Sequence, residues 1–124
     1  MNNEQENLKI IKELEKDIQE GNLDGLMSKL AEDVVWNIPG PSLYHFAGCY
    51  RGHEQIKNVF ALAAMIQTES TNPKEFIAQR DKVVVLVATR IQFKTNNRVV
   101  ELETCHVFTL RAGKVIEFLD YMNI

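Results

Sequence analysis

Apolar positions recur at three- and four-residue steps in the first half of the chain and at alternate residues in the second half. Leu8, Ile11, Leu14 and Ile18 place one apolar stripe on an otherwise charged segment, which predicts a helix over residues 3–20. Gly21-Asn22 ends it, because glycine readily adopts the left-handed conformation that closes a helix. Leu23, Leu26, Met27 and Leu30 predict a second, short helix over 23–31, capped by Asn22 or Asp24. Residues 33–38 read as a short strand stopped by Pro39-Gly40-Pro41, since two prolines remove backbone donors. The segment 39–50 reads as an aromatic loop carrying Tyr44, His45, Phe46 and Tyr50. Ile56, Val59, Phe60, Ala63, Ala64 and Ile66 describe a third helix from 53 to about 67, entered through Gly52.

Beyond Pro73 the period changes. Residues 74–80, 82–94, 97–111 and 114–123 are rich in Val, Ile, Phe and Thr, and turn signals at Arg80-Asp81, Asn96-Asn97 and Ala112-Gly113 separate them. They predict an antiparallel meander. Helices in the first half and strands in the second imply an α+β domain in which one sheet curls around the helices.

With 124 residues the chain is expected to form one domain, 1–124, burying roughly two thirds of the surface its unfolded form exposes. Its 45% hydrophobic and 25% charged content is that of an ordinary globular chain. The longest apolar stretches, 60–66 and 83–88, fall far short of the roughly 20 residues that cross a bilayer, so no membrane association is expected. The polar, acidic beginning lacks the layout of a secretion signal, which points to a cytoplasmic location. The net charge is −3 and the fourteen Lys and Arg residues are scattered, an arrangement that argues against nucleic-acid binding. Cys49 and Cys105 have no metal-ligand spacing, and reduced thiols are expected. HxH, HxxxH and HExxH spacings are absent, so no metal and no cofactor is expected.

Two ionisable residues break apolar registers. The alternation Leu102, Thr104, His106, Phe108, Leu110 turns His106 inward, while Glu101, Glu103, Cys105, Val107, Thr109 and Arg111 occupy the other face. Ile116, Phe118, Asp120 and Met122 turn one carboxylate inward in the same way. A buried carboxylate needs a partner or a purpose. Asp120 either exchanges a proton with a substrate beside His106, or pairs with Arg90 or His106 as a structural bridge. Trp36 and Tyr44 each join a large apolar body to one polar group, suiting them to a ring-bearing ligand or to packing. His45 and His53 either close the mouth of a pocket or are solvated. Arg51 either meets an anion at the start of the third helix or pairs with Glu54. Cys49 has no neighbouring base to activate it as a nucleophile.

The order helix, helix, short strand, helix, meander resembles the nuclear transport factor 2-like superfamily, which includes ketosteroid isomerases and SnoaL-like polyketide cyclases. The resemblance is carried by Gly21-Asn22-Leu23-Asp24-Gly25-Leu26, by Leu30-Ala31-Glu32-Asp33-Val34-Val35-Trp36, by Tyr50-Arg51-Gly52-His53-Glu54-Gln55-Ile56 with Phe60, and by Arg111-Ala112-Gly113-Lys114-Val115-Ile116 with Asp120-Tyr121. It implies a conical α+β barrel, with three N-terminal helices packed in a curved, mainly antiparallel sheet around an apolar cavity. It further implies a homodimer formed through the outer sheet face, where Glu101, Glu103, Cys105 and Val107 meet a partner or water. The implied cavity wall comprises Leu14, Trp36, Ile38, Phe60, His106, Phe108, Phe118 and Asp120.

Activity transfers less readily than fold. Ketosteroid isomerases use an aspartate beside the first strand, a tyrosine on the first helix and a protonated aspartate on the penultimate strand. The matching positions here are Asn37 or Ile38, Leu14 and His106, which argues against that mechanism. SnoaL-like cyclases use a late-strand aspartate with a nearby histidine, and Asp120 with His106 fits that pattern. The resemblance therefore implies a cofactor-free cyclase, isomerase or hydrolase acting on a partly apolar carbonyl compound. The alternatives are a non-catalytic binder of a small apolar or ring-bearing ligand, or a dimerisation module of the same fold.

Overall fold

The structure, a computed structural model, describes residues 3–38 and 46–122. Helix α1 runs Glu4–Glu20; the Asn3 side chain accepts the Gln5 and Glu6 N–H groups at 3.0 and 3.2 Å. Its C-terminus is closed by Gly21 at φ 68°, a left-handed conformation that glycine adopts without steric penalty. Ile11 and Leu14 on its apolar stripe are completely buried. Helix α2, Leu23–Ser28, is capped by Asn22, whose side chain accepts the Gly25 N–H at 3.0 Å. It ends before residue 31 because Leu30 already pairs with the last strand, opposite Val115.

Strand β1 (Leu30–Ile38) begins earlier than the expected 33–38. The expected loop 39–50 contributes a strand of its own, β2 (Gly48–Arg51), antiparallel to β1 with Trp36 opposite Tyr50. Tyr44 and His45 lie outside the described residues. Helix α3 spans Gly52–Ile66. His53 binds its first turn to β1, its Nε2 lying 3.1 Å from the carbonyls of both Leu30 and Ala31.

The meander comprises β3 (Gln67–Gln79), β4 (Lys82–Phe93), β5 (Val99–Arg111) and β6 (Lys114–Met122). Strand β3 starts at Gln67, well before the expected 74. Pro73 does not end it, because β3 is an edge strand and its register with β4 shifts between Pro73 and Glu75. That bulge exchanges the inward parity: Gln67, Glu69 and Thr71 face inward before it, Phe76 and Ala78 after it. Between β5 and β6, Ala112 and Gly113 both have positive φ, 53° and 79°, as a two-residue type I′ connection requires.

The six strands form one curved, unclosed sheet in the order β2-β1-β6-β5-β4-β3. All neighbours are antiparallel except β1 and β6, which run parallel, so the sheet is mixed. The chain thus has the α+β cone architecture of the nuclear transport factor 2-like fold. Helix α1 packs against β3 and β4, and the core joins Ile11, Leu14, Leu26, Ile56, Val83, Val85, Phe108 and Val115. On the convex face, Ile77, Val84, Val107 and Leu119 lie in one cross-strand row, and Leu86, Cys105 and Tyr121 in the next. Ile77, Leu86 and Tyr121 are exposed there. Glu101 and Glu103 are exposed on the same strands, whereas Cys105 and Val107 are half-buried.

Candidate functional site

His106 and Asp120 are directly opposed on adjacent antiparallel strands, β5 and β6. Alternation directs both to the concave face, and cross-strand partners on one face stand close enough for their side chains to interact. His106 Nε2 lies 3.6 Å from Asp120 Oδ1. On the other side of the ring, Nδ1 lies 2.8 Å from Oε2 of Glu15, which reaches down from α1. Glu15 is 1% exposed and His106 6%, so the hydrogen bond is shielded from water. The order Glu15–His106–Asp120 therefore runs from the closed interior to the cavity.

The cavity encloses about 90 Å³. Trp36, Ile38, Phe46, Val59, Phe60, Ala63 and Phe118 form its apolar wall, with Ile18 from α1. Trp36 and Phe118 stack at 3.9 Å between ring centroids, and Phe118 meets the His106 ring edge-on at 5.2 Å. Strand β3 supplies the facing polar wall: Gln67, Glu69 and Thr71, spaced by two residues and so sharing one face. Among the described lining residues the only ionisable groups are Glu69, His106 and Asp120; no Lys or Arg joins them.

This arrangement displaces the proton affinities of three groups. Burial pushes the Asp120 carboxyl above its ordinary range; the His106 charge opposes that rise and the Glu15 charge adds to it. Burial disfavours a charged His106, but the hydrogen bond and charge of Glu15, with Asp120 and Glu69, outweigh it and raise the imidazole. Glu69 is exposed as a residue, yet its carboxyl is desolvated on the cavity side and raised, with Asp120 reinforcing the shift and His106 and the Gln67 amide opposing it. One imidazole thus sits among three carboxyl groups, and burial raises the proton affinity of two of them, Glu69 and Asp120. Such a set can receive and return a proton at a bound molecule.

The structure separates the expected wall residues into two groups. Trp36, Ile38, Phe60, Phe118, His106 and Asp120 line the cavity together. Leu14 and Phe108 do not; both are completely buried in the core behind it, because α1 presses Leu14 into the sheet and Phe108 lies one inward position beyond His106. Tyr44 lies outside the described residues. Arg90 is not the partner of Asp120: it faces outward, 4.0 Å from Glu101, with both side chains exposed. Among the described residues no three His, Cys, Asp or Glu side chains are grouped to hold a metal ion.

Glu15, Gln67, Glu69 and Thr71 were not foreseen. Glu15 follows Ile11 by four residues and precedes Ile18 by three, so helical spacing alone places it on the buried stripe. The β3 residues precede Pro73, and a proline within a run reads as a strand boundary, whereas an edge strand tolerates it.

A SnoaL-like domain model matches residues 12–118. The chain belongs to the SnoaL-like domain family. Among solved structures, this SnoaL-like chain is similar to a nuclear transport factor 2-like protein from Burkholderia xenovorans LB400, with 31% identity over 98% of this chain and 92% of that one, at a TM-score of 0.86. It is also similar to TerC, crystallised with polyporic acid, with 27% identity over 95% and 92% of the two chains and a TM-score of 0.86. An LEH-like epoxide hydrolase from M. tuberculosis shares the fold at 15% identity, over 96% and 84% of the chains, with a TM-score of 0.79. A comparison with curated proteins gives no match. Among the described residues no helix is long and apolar enough to cross a membrane.

Proposed function

We propose that this SnoaL-like domain catalyses proton transfer on a partly apolar carbonyl compound, with Asp120 as the group that exchanges the proton and His106 assisting it. The observation carrying this reading is the chain Glu15–His106–Asp120, whose outer carboxyl lies at an aromatic cavity. Asp120 as carboxylate takes a proton from the carbon beside the carbonyl, and the electron pair moves onto the carbonyl oxygen to give an enolate. The new carboxylic acid then returns the proton at a different atom, or the enolate carbon bonds to a second carbonyl carbon, whose C=O π pair moves onto its oxygen and takes the proton from Asp120. His106, held by Glu15, favours the carboxylate form of Asp120 whenever its ring carries a proton. The similar protein TerC, co-crystallised with polyporic acid, supports a small-molecule ligand for the cavity.

The enclosed space of about 90 Å³ is smaller than the roughly 300 Å³ at the low end of ligand pockets, so one ring enters it and the rest of the compound lies across the mouth. The same small volume favours a second reading, a binding protein whose polar groups orient a ligand without reacting. Asp120→Asn decides between them once a substrate is in hand. Loss of turnover by about 100-fold or more with a folded variant supports catalysis. Unchanged turnover rejects Asp120, and altered affinity with no product over prolonged incubation establishes the binding protein.

We also propose a homodimer formed through the convex sheet face. The cross-strand rows carrying exposed Ile77, Leu86 and Tyr121 support it, because neighbouring apolar side chains on an open sheet gain by being covered.

A further inference from the structure

The polar wall of the cavity contains hydrogen-bonding capacity that the protein itself leaves unused. Gln67 is 4% exposed and its amide nitrogen approaches Glu69 Oε2 at 3.4 Å, an arrangement that leaves its carbonyl oxygen as an acceptor. That Oε1 atom is fully buried and has no hydrogen-bond partner among the described residues. The Thr71 hydroxyl, two inward positions further along β3, is likewise buried and without a hydrogen bond among the described residues; across the cavity Asp120 Oδ1 also accepts no hydrogen bond, its neighbour being the His106 ring at 3.6 Å. Buried polar atoms without partners are uncommon, because each forfeits the hydrogen bonds it made in water. Three of them around one small cavity, opposite the Trp36–Phe118 stack, describe a complementary molecule.

We propose that Gln67, Thr71 and Asp120 form an acceptor-lined wall that selects a ring bearing a hydrogen-bond donor, a hydroxyl or amino group, and rejects anionic rings. Two of the three are acceptors outright, the Gln67 carbonyl and the Asp120 carboxylate; the Thr71 hydroxyl accepts through its free lone pairs. The absence of Lys and Arg from the described lining leaves an anion only His106, itself already engaged by Glu15, while Glu69 and Asp120 oppose it. An apolar ring satisfies the aromatic wall but leaves the acceptors stranded, and such a mismatch discriminates more sharply than a missing methyl group. The inference rests on the cavity being a ligand site and specifies which ligands it takes.

The test uses four probes of similar size, phenol, aniline, toluene and benzoate, titrated into the full chain and followed by two-dimensional NMR. Phenol and aniline are expected to bind at least about tenfold more tightly than toluene and benzoate, the value of one hydrogen bond of about 1.4 kcal/mol. In Gln67→Leu and in the near-isosteric Thr71→Val the preference for phenol over toluene is expected to fall at least threefold, while toluene affinity changes less than twofold. Thr71→Val carries the test if Gln67→Leu does not fold. Toluene or benzoate binding as tightly as phenol overturns the selectivity and leaves the ligand site standing. An undiminished preference in the folded variants overturns the assignment to this wall. Binding of none of the four overturns the ligand site and the selectivity together.

Discussion

Glu15 and His106 stand 91 residues apart in the chain and 2.8 Å apart in space. The pair couples the first helix to the central strand of the meander and determines which nitrogen of His106 faces Asp120. A histidine whose Nδ1 is engaged presents Nε2 in a defined direction, which is what a proton-transfer group requires. The orientation comes at the cost of burying a charged group, so the pair bears on stability as well as on the direction of the ring.

Glu15→Gln is expected to lower the His106 titration midpoint, because the two largest influences raising it both come from Glu15. An NMR titration of the His106 ring checks this. The folded midpoint of His106 lies above its ordinary value of 6.5, so its stabilising contribution is fully present below that value and disappears as the pH rises through the folded midpoint. Wild-type chain should therefore exceed the variant by roughly 1–3 kcal/mol at mildly acidic pH, with a smaller gap at alkaline pH, in urea unfolding.

Asp120→Asn should separate activity from stability. The folded midpoint of Asp120 is raised above its ordinary 3.8, so ionising it in the fold is unfavourable; the penalty is absent below 3.8 and grows to its full size as the pH passes the folded midpoint. The variant escapes that penalty. Its melting temperature relative to wild type is expected to improve from acidic to neutral pH while turnover falls, and a variant that loses ground over that window would contradict the assignment.

Phe118→Ala removes one ring of the Trp36–Phe118 stack and opens the wall beneath His106. A loss of about 3–5 kcal/mol is expected from a phenylalanine truncated at a buried site. Trp36 is the single tryptophan, so its emission reports the change directly and shifts as the packed ring beside it is lost.

Leu86→Glu places a charge within the convex row that also carries Cys105 and Tyr121. If that row is the dimer face, analytical ultracentrifugation should show the dimer weakened by about 100-fold or more, equivalent to about 2.7 kcal/mol. The circular dichroism spectrum should be unchanged, since Leu86 is exposed in the single chain. A dimer of undiminished affinity would place the contact elsewhere.

Ala112→Asn should stabilise the chain by about 0.5–1 kcal/mol. Ala112 sits at φ 53° in the turn to β6, a conformation that costs a Cβ-bearing residue about 1–2 kcal/mol and that asparagine tolerates better. Thermal unfolding measures the difference.

Local patterning made much of this site legible before any coordinates. Alternation in β5 and β6 directs His106 and Asp120 to one side, and their meeting needs only the tight turn at Ala112-Gly113 to set the register. Glu15 is absent from the apolar stripe read in the first helix, because a charged residue at a stripe position shows its role only once its partner is known. The aromatic wall was read less evenly. Trp36, Phe60 and Phe118 reach the cavity, whereas Leu14 and Phe108, inward on equally clear registers, end behind it. Periodicity reports which face is buried; it carries no information about depth along the cone.

Side-chain period and turn chemistry over a few residues suffice for the three helices, the four-stranded meander and the inward direction of His106 and Asp120. The parallel pairing of β1 with β6, the passage of β3 through Pro73 by a bulge on an edge, and the hold of Glu15 on His106 arise only in the folded chain. Those outcomes depend on which distant segments pack together and in what register. They also produced the acceptor wall of Gln67 and Thr71, since a strand that begins before Pro73 is needed to turn those residues toward the cavity.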